Sequence, residues 1–544
     1  MSDYDHITLV GRVLSALIDT GVIYLAYLIG KRVYDRRVGL LAAVFVTFTV
    51  FHIQVAHFYA VDALLTFFVL LFFVFAIDFA RNGGVRNSIL LGASLGLALA
   101  TKFSAAPLAL VVLGAYILYV KRQDTGYFRQ TLRLFLFTLL ALAVTSFVAQ
   151  PYAVLDFDAF LAGVAEQGRM VRGIADYPYT RQYINTPAFL YQIQHSILWA
   201  MGLPLGVVAY CGFGFFLWRV ARHRRGMDLL MLAWVGPYFL VTGSFMVKFM
   251  RYMLPLFPFF FIMGAKMLYS FRGWLKGREG AVARSASAIW YGITGVVIGC
   301  SVLYSLAFAS IYSRPHSRIE ASDWIYRNLP SGSTLALEHW DDDLPLRGMV
   351  DGQPRSISEY QTLKMNLYEP DNEQKFWHIV NNLGQSDYVI LSSNRLYGSI
   401  PRLPWRYPIT TRYYELLFEE ELGFQLLDTF TSYPGLLRFS INDDAADESF
   451  TVYDHPKVLI FGKTRQLSDE EFRSLFSEAL KSQPRSGAQE MAFLDQTRSD
   501  KSLLLDRPVD ELPVIAEWGW NPLANAHPLL SVITWWLAVQ AVGL

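Results

Sequence analysis

The sequence predicts a polytopic α-helical membrane domain of about ten spans followed by a small extracytoplasmic α/β domain. Three observations carry that expectation. Apolar residues make up 53% of the chain and charged ones only 17%, a shift away from globular proteins in both directions. The excess lies in residues 8–311, in runs close to the roughly 20 residues that a helix needs to cross a bilayer. From 313 the pattern changes to short alternating helix and strand signals.

The candidate spans are 8–30, 39–56, 62–80, 88–102, 104–121, 132–150, 198–218, 228–246, 252–270 and 286–310. The fourth and fifth are short, and their junction LATKFSAAP carries Lys102 and Pro107, so two helices are expected to meet near one surface. Sidedness follows from the loops. One alternate set (31–37, 81–87, 121–133, 219–225 and 272–284) holds 18 Lys and Arg, against six in the opposite set. Short loops rich in Lys and Arg stay in the cytoplasm. The N-terminus, the HFYAVD turn, Lys102, residues 151–197, the KFMR turn and the soluble domain are therefore expected outside. The opening MSDYDH has no basic region of a signal peptide, so an outside start suggests that a helix precedes this chain.

In the soluble part, IEASDWIYRNL (319–329), EQKFWHIVNNLG (373–384), TRYYELLFEEEL (411–422) and LSDEEFRSLFSEAL (467–480) read as helices, the last with Ser468 as N-cap. STLALEHW, DYVILSS, GFQLLDTF and LLRFSI read as strands, and VYDHPKVLIFGK (452–463) closes this section. The expected division is 1–312 for the membrane domain, 313–480 for the α/β domain, 481–525 for a polar linker and 526–544 for the start of another span. A net charge of +1 gives no footprint for nucleic acid. Cys211 and Cys300 both sit in apolar runs and offer neither a disulfide framework nor metal-ligand spacing.

Polar groups at the outer ends of the spans call for an explanation. An ionised residue at the bilayer centre costs roughly 2.5–3.5 kcal/mol on insertion scales, so such groups seek partners or a wet cavity. His57 and Asp62 share the short outer turn, Lys102 lies at a helix junction, Lys248 and Arg251 lie in SFMVKFMRYMLPLFP, and Arg12 lies just inside the first span. Each has a plainer reading. Arg12 can snorkel to headgroups, Asp62 can cap a helix, and His57 can be a packed, hydrogen-bonded histidine. Together, cations on the side that the charge bias disfavours suggest an anion there, and a lipid phosphate is the anion at hand. Such a site suits a lipid-phosphate sugar. Cations stabilise the departing phosphate, and Asp62 acts as general base, positions the acceptor or holds a divalent metal. In EHWDDDLP (338–345), Glu338 and Asp341 are candidates on the acceptor side, the alternative being a solvated turn of Asp341, Asp342 and Asp343. Asp454 and His455 before Pro456 read as a turn.

Four stretches, GRVLSAL…YLIGKRVYDRRVGLLAAVFV (11–46), HFYAVDALLTFF, LLGASLGLALATKFSA (90–105) and MRYMLPLFPFF (250–260), resemble the GT-C superfamily of polytopic glycosyltransferases. The likeness is to the branch related to protein mannosyltransferases and aminoarabinose transferases, and it covers roughly residues 8–311. It implies a polyprenyl-phosphate sugar donor, transfer outside the cytoplasm to an acceptor, and inversion at the anomeric carbon. It places Asp62 at the acidic position of the second outer loop, and Lys102 and Arg251 near the donor phosphate. It also implies a principal catalytic acid in a first outer loop, which this chain does not contain; Asp3 and Asp5 are the nearest acids. The soluble part and HPLLSVITWWL resemble large relatives of this branch in which a second multi-span module follows. The expected catalytic residues are thus Asp62 and His57, and the expected phosphate ligands are Lys102, Arg251, Lys248 and Arg12. A lipid-linked sugar transporter or a catalytically inactive membrane subunit are the alternatives. Transporters show repeats and broken helices at the midplane, whereas these polar groups gather at one surface.

Overall fold

The computed structural model describes residues 3–123 and 128–482. Nearly all of the expected 481–525 linker and all of the expected 526–544 span lie outside the described residues. Among the described residues two compact units form: a helical one up to Arg172 and from Pro187 to Ser305, and a mixed one from Gly173–Thr186 and from Leu306 to Ser482. The short Gly173–Thr186 segment, inside what the sequence presents as a long outer loop, thus folds with the soluble residues.

The helical unit contains α1 (Asp3–Val33), α2 (Arg36–Thr47), α3 (Val50–Ala56), α4 (Val61–Asn82), α5 (Val85–Thr101), α6 (Leu108–Val120) and α7 (Phe128–Ala149). It continues with α8 (Tyr152–Leu155), α9 (Phe157–Val171), α10 (Leu190–His195), α11 (Leu203–His223), α12 (Gly226–Ser244), α13 (Phe257–Lys276) and α14 (Gly280–Ala309). Among the described residues, eight helices are long and apolar enough to cross a membrane, nine if α2 and α3 count as one broken span, with α5 a shorter apolar helix. The unit is that of a multi-pass membrane protein. The expected single span at 39–56 is corrected to two helices bent by 61°. The hydroxyl of Thr49 donates to the Phe45 carbonyl at 2.6 Å, the back-bonding by which Ser and Thr bend helices.

Helix α4 is the hub, 72% of its apolar window being buried, whereas α7 is peripheral at 11%. Small residues let helices cross closely. Asp35 caps α2 by accepting from the Arg37 and Val38 amides, which reverses the chain after α1. The two helices then touch backbone to backbone, and a Cβ on Gly39 would lie 2.4 Å from the Tyr27 carbonyl oxygen. The basic ends of the helices are tied by ion pairs. Arg219 reaches Asp228 at 2.8 Å, the Tyr34 hydroxyl donates to the same carboxylate at 2.7 Å, and Arg32 pairs with Asp78 at 2.8 Å.

The second unit holds α15 (Ser317–Asn328), β1 (Thr334–Glu338), β2 (Gly348–Val350), β3 (Gln353–Arg355), β4 (Gln361–Met365), α16 (Glu373–Gln385) and β5 (Tyr388–Leu391). Then come α17 (Pro408–Phe418), β6 (Phe424–Phe430), β7 (Gly435–Leu436), β8 (Phe439–Ser440), α18 (Glu448–Thr451), β9 (Val458–Lys463), α19 (Asp469–Leu475) and α20 (Ser477–Lys481). The main sheet runs β4-β1-β5-β9-β6, with the first three strands parallel and β9 antiparallel to both of its neighbours. Strand residues alternate between two cores. Ala336, Val389, Leu391, Leu459 and Phe461 pack with residues of α16, α17 and α19, while Leu335, Leu337, Ile390, Val458 and Ile460 pack with residues of α15. Both faces are covered, as a sheet with parallel strands requires.

The strand expected in LLRFSI is only the two-residue arms of β7 and β8, and the helix expected at 467–480 breaks at Phe476. Ser468 does cap α19, in a capping box with Glu471. Gly39→Ala is expected to lower the thermal midpoint of the detergent-solubilised protein, overpacking costing about 1–3 kcal/mol. Gly214→Ala, where a Cβ meets open space, serves as control and should leave the midpoint unchanged or raise it. A higher midpoint for Gly39→Ala would refute the close crossing.

Candidate functional site

Helix α4 begins at Val61 behind an extended Ala60 that supplies no side-chain cap, so Asp62 stands in the first turn rather than at the N-cap. The positive end of the helix dipole favours a carboxylate there. Asp62 is nevertheless buried, and a buried carboxylate needs a counter-charge. Lys102 supplies it. The chain leaves α5 at Thr101, and Lys102 takes an extended conformation before the 3₁₀ turn Phe103–Ala105, which brings its Nζ to 2.9 Å from Asp62 Oδ1. The same ammonium lies 5.1 Å from the ring centroid of Tyr252, on the 3₁₀ segment Met250–Leu256 that leads into α13. The Asp62 side chain of this pair is covered at 4% exposure while that of Lys102 retains 30%, so the lysine is the more accessible partner.

The other expected residues fall as follows. Arg251 adjoins Tyr252 in sequence, is exposed, and has its guanidinium 4.8 Å from the Phe249 ring centroid. Lys248 is buried and donates to the Met246 carbonyl at 2.9 Å. His57 is exposed at the end of α3, with Nδ1 2.7 Å from the Ile53 carbonyl oxygen. Arg12 is exposed on α1 and makes no ion pair among the described residues. The side chains of Asp3 and Asp5 lie outside the described part. Among the described residues, no three His, Cys, Asp or Glu side chains converge as a metal-ligand set.

A second polar pair escaped the sequence reading. Asp19, within apolar α1, accepts from or donates to His52 Nδ1 of α3 at 2.8 Å, and both residues are buried. His52 Nε2 has no partner among the described residues. The available signal was an acid in the middle of an apolar helix and a histidine five residues before His57.

Glu338 and Asp341 are turned into the soluble unit. Glu338 ends β1, an inner strand of the sheet, is enclosed, and accepts a hydrogen bond from the Tyr414 hydroxyl. Burial, reinforced by nearby Asp341, holds its carboxyl well above the usual range against the opposing effect of the Tyr414 bond. Asp341 pairs with Arg318 at 2.9 Å and accepts from Ser393, its carboxylate wholly covered. Asp342 and Asp343 keep exposed carboxylates and pair with Arg318 and Lys364. The acids that read as one surface turn therefore split between the interior and the surface, because they follow an inner strand.

Residues 6–149 match the family model described as dolichyl-phosphate-mannose-protein mannosyltransferase. The GT-C resemblance carried by residues 11–46, the HFYAVD turn and residues 90–105 is upheld in that segment, which also contains Asp62 and Lys102. Among solved structures, the chain is similar to the oligosaccharyltransferase of Archaeoglobus fulgidus tethered with an acceptor peptide, at 12% identity over 74% of this chain and 61% of that one, with a TM-score of 0.39. It is also similar to ArnT from Cupriavidus metallidurans bound to undecaprenyl phosphate, at 13% identity over 84% of this chain and 85% of that one, with a TM-score of 0.37. The chain spans about three fifths of the length of the archaeal protein. No curated protein matches it.

Two outcomes are expected from these placements. A raised carboxyl pKa means that the folded state binds its proton more tightly than the unfolded state, so stability falls as pH rises past the unfolded value. Glu338→Gln should therefore raise the thermal midpoint near about pH 7, with the advantage vanishing near about pH 4. Asp62→Asn and Lys102→Met should each destabilise, while the double variant loses less than their sum, a coupling of about 0.5–3 kcal/mol in a thermal double-mutant cycle. Strict additivity would mean that the pair does not form.

Proposed function

We propose that the chain is an integral-membrane glycosyltransferase that moves a sugar from a polyprenyl-phosphate donor to an acceptor on the extracytoplasmic side of the membrane. The observation that carries this reading is the Asp62–Lys102 pair, buried on its acidic side and open on its basic side, at the helix ends opposite the Arg- and Lys-rich loops. The family match over residues 6–149 supports it.

In this reading Lys102 and Arg251 receive the donor phosphate. The bond between the anomeric carbon and the phosphate oxygen breaks, its electrons stay on that oxygen, and the two cations stabilise the charge that develops. An acceptor hydroxyl attacks the anomeric carbon from the opposite face, which inverts it, and passes its proton to a carboxylate. As Lys102 turns to the phosphate, Asp62 is released from its ion pair and becomes the base available at that point. Tyr252 holds the ammonium against its ring meanwhile. His57, at the same turn, positions the entering groups. Lys248 braces the 245–256 turn from within by its bond to Met246, and Arg12 meets headgroups at the membrane surface.

Membranes carrying the protein, supplied with a panel of radiolabelled polyprenyl-phosphate sugars, provide the test. Asp62→Asn should lower transfer by about 10²–10⁴-fold while leaving expression intact. Lys102→Ala and Arg251→Ala should weaken donor binding by about 1.5–3 kcal/mol each and acceptor binding little. Full transfer by Asp62→Asn removes that residue from the reaction, and unchanged donor affinity in both cation variants removes the phosphate assignment.

A further inference from the structure

Outside the helical unit, the soluble unit encloses a cavity of about 150 Å³ that no part of the transfer chemistry uses. It lies beyond the carboxyl end of β5, in the loop that begins at Asn394, and against the segment that leads into β9. The sheet makes that location significant. From β1 the chain goes to β4 on one side, and from β5 it goes toward β6 and β9 on the other. Ligands of open α/β sheets collect where the connections part in this way, outside the carboxyl ends of the strands.

The wall is unusual in its charge balance. Arg395 pairs with Glu448 at 2.8 Å, and Lys457 pairs with Asp444 at 2.9 Å. His455 lies between Asp443 at 2.8 Å and Asp454 at 2.5 Å. Burial pulls the imidazole down, but the two carboxylates outweigh it and raise it to about 9, so these charges answer one another; Arg402, exposed on the same wall, makes no ion pair among the described residues and donates to the Gln182 carbonyl at 3.4 Å. Away from Arg402, a phosphate or an ammonium would have to break one of these pairs to gain one of its own. A neutral ligand rich in hydroxyls would not, because carboxylates and amide oxygens accept from hydroxyls while guanidinium and ammonium groups donate to them.

Two further features favour such a ligand. Tyr397 and Tyr433 line the same cavity and offer apolar ring surface beside the polar groups. Asn394 lines it too, and its Oδ1 is buried with no hydrogen-bond partner among the described residues, an expensive state that rotation of the amide toward a ligand hydroxyl relieves. As for size, a cavity of about 150 Å³ holds a single six-membered ring.

We propose that this cavity binds one neutral pyranose residue of a glycan, with Asn394, Glu448 and Lys457 reading hydroxyls and the tyrosine rings facing the sugar. The inference stands apart from the transfer reaction and holds whether or not Asp62 is catalytic.

The test uses the full-length protein in detergent and saturation-transfer NMR with methyl α-mannopyranoside, methyl β-glucopyranoside and methyl β-galactopyranoside, with inorganic phosphate as competitor. At least one glycoside is expected to bind in the millimolar range and to resist phosphate. Asn394→Ala and Lys457→Met should each weaken it by about tenfold at an unchanged thermal midpoint, whereas Asp62→Asn should keep it. Absence of saturation transfer from all three sugars up to roughly 50 mM overturns the proposal. So does displacement by phosphate, equal binding by both folded cavity variants, or loss of binding in Asp62→Asn measured below its thermal midpoint, where it is folded.

Discussion

Hydrocarbon offers an ionised side chain no partner, and this exclusion organises the helical unit from both ends. Where the loops are rich in Arg and Lys, Asp228 gathers Arg219 and the Tyr34 hydroxyl, and Asp78 meets Arg32. At the opposite end Asp62 meets Lys102, and between α1 and α3 Asp19 meets His52. Removing one member of a buried pair leaves an uncompensated charge, at a cost of about 3–5 kcal/mol. These contacts join residues 9 to 194 positions apart, so they select which helix ends lie together as well as how firmly they hold.

The Asp62–Lys102 pair differs from the Arg219–Asp228 pair in one respect that bears on chemistry. Both members of the latter are covered, which suits a fixed strut, while Lys102 keeps an open side. Its position at a break between α5 and the 3₁₀ turn adds to this, since the extended residue can re-aim its side chain without unwinding a helix. An anion arriving from the open side would exchange one carboxylate partner for another negative group and leave Asp62 able to take a proton. Structural need and the proposed reaction thus draw on the same two residues.

The second unit follows the same rule. Its two cores are apolar and alternate strictly along β1, β5 and β9, yet Glu338 at the end of β1 is enclosed with Tyr414. Asp371 similarly holds Lys375 at 2.7 Å and accepts from the Ile409 and Thr410 amides at the start of α17. The segment Gly173–Thr186 is anchored by Asp176, which Arg181 holds bidentately and Arg406 also reaches. Burial would raise that acid, but the two guanidiniums keep it below the usual carboxylate range.

Hydropathy is a sum over neighbours in the chain, so the apolar segments and the change of period at 313 were legible from the residues alone. The helix cap at Ser468 and the strands at Thr334–Glu338, Tyr388–Leu391 and Phe424–Phe430 were legible for the same reason. Partner choice is a different quantity. Whether Lys102 meets Asp62, whether Arg12 faces away, and whether Glu338 is enclosed depend on helix rotation and strand order, and contacts across 40 or 76 residues have no local signature. The short strands β2 to β4 were unreadable because few of their side chains are covered and pairing alone defines them. By itself the sequence determined a many-helix membrane unit, a soluble α/β unit and a set of polar residues that had to be satisfied. Only the tertiary structure decided which of them satisfy one another, because a hydrogen bond demands placement within a few tenths of an ångström, and that placement is a property of packed elements.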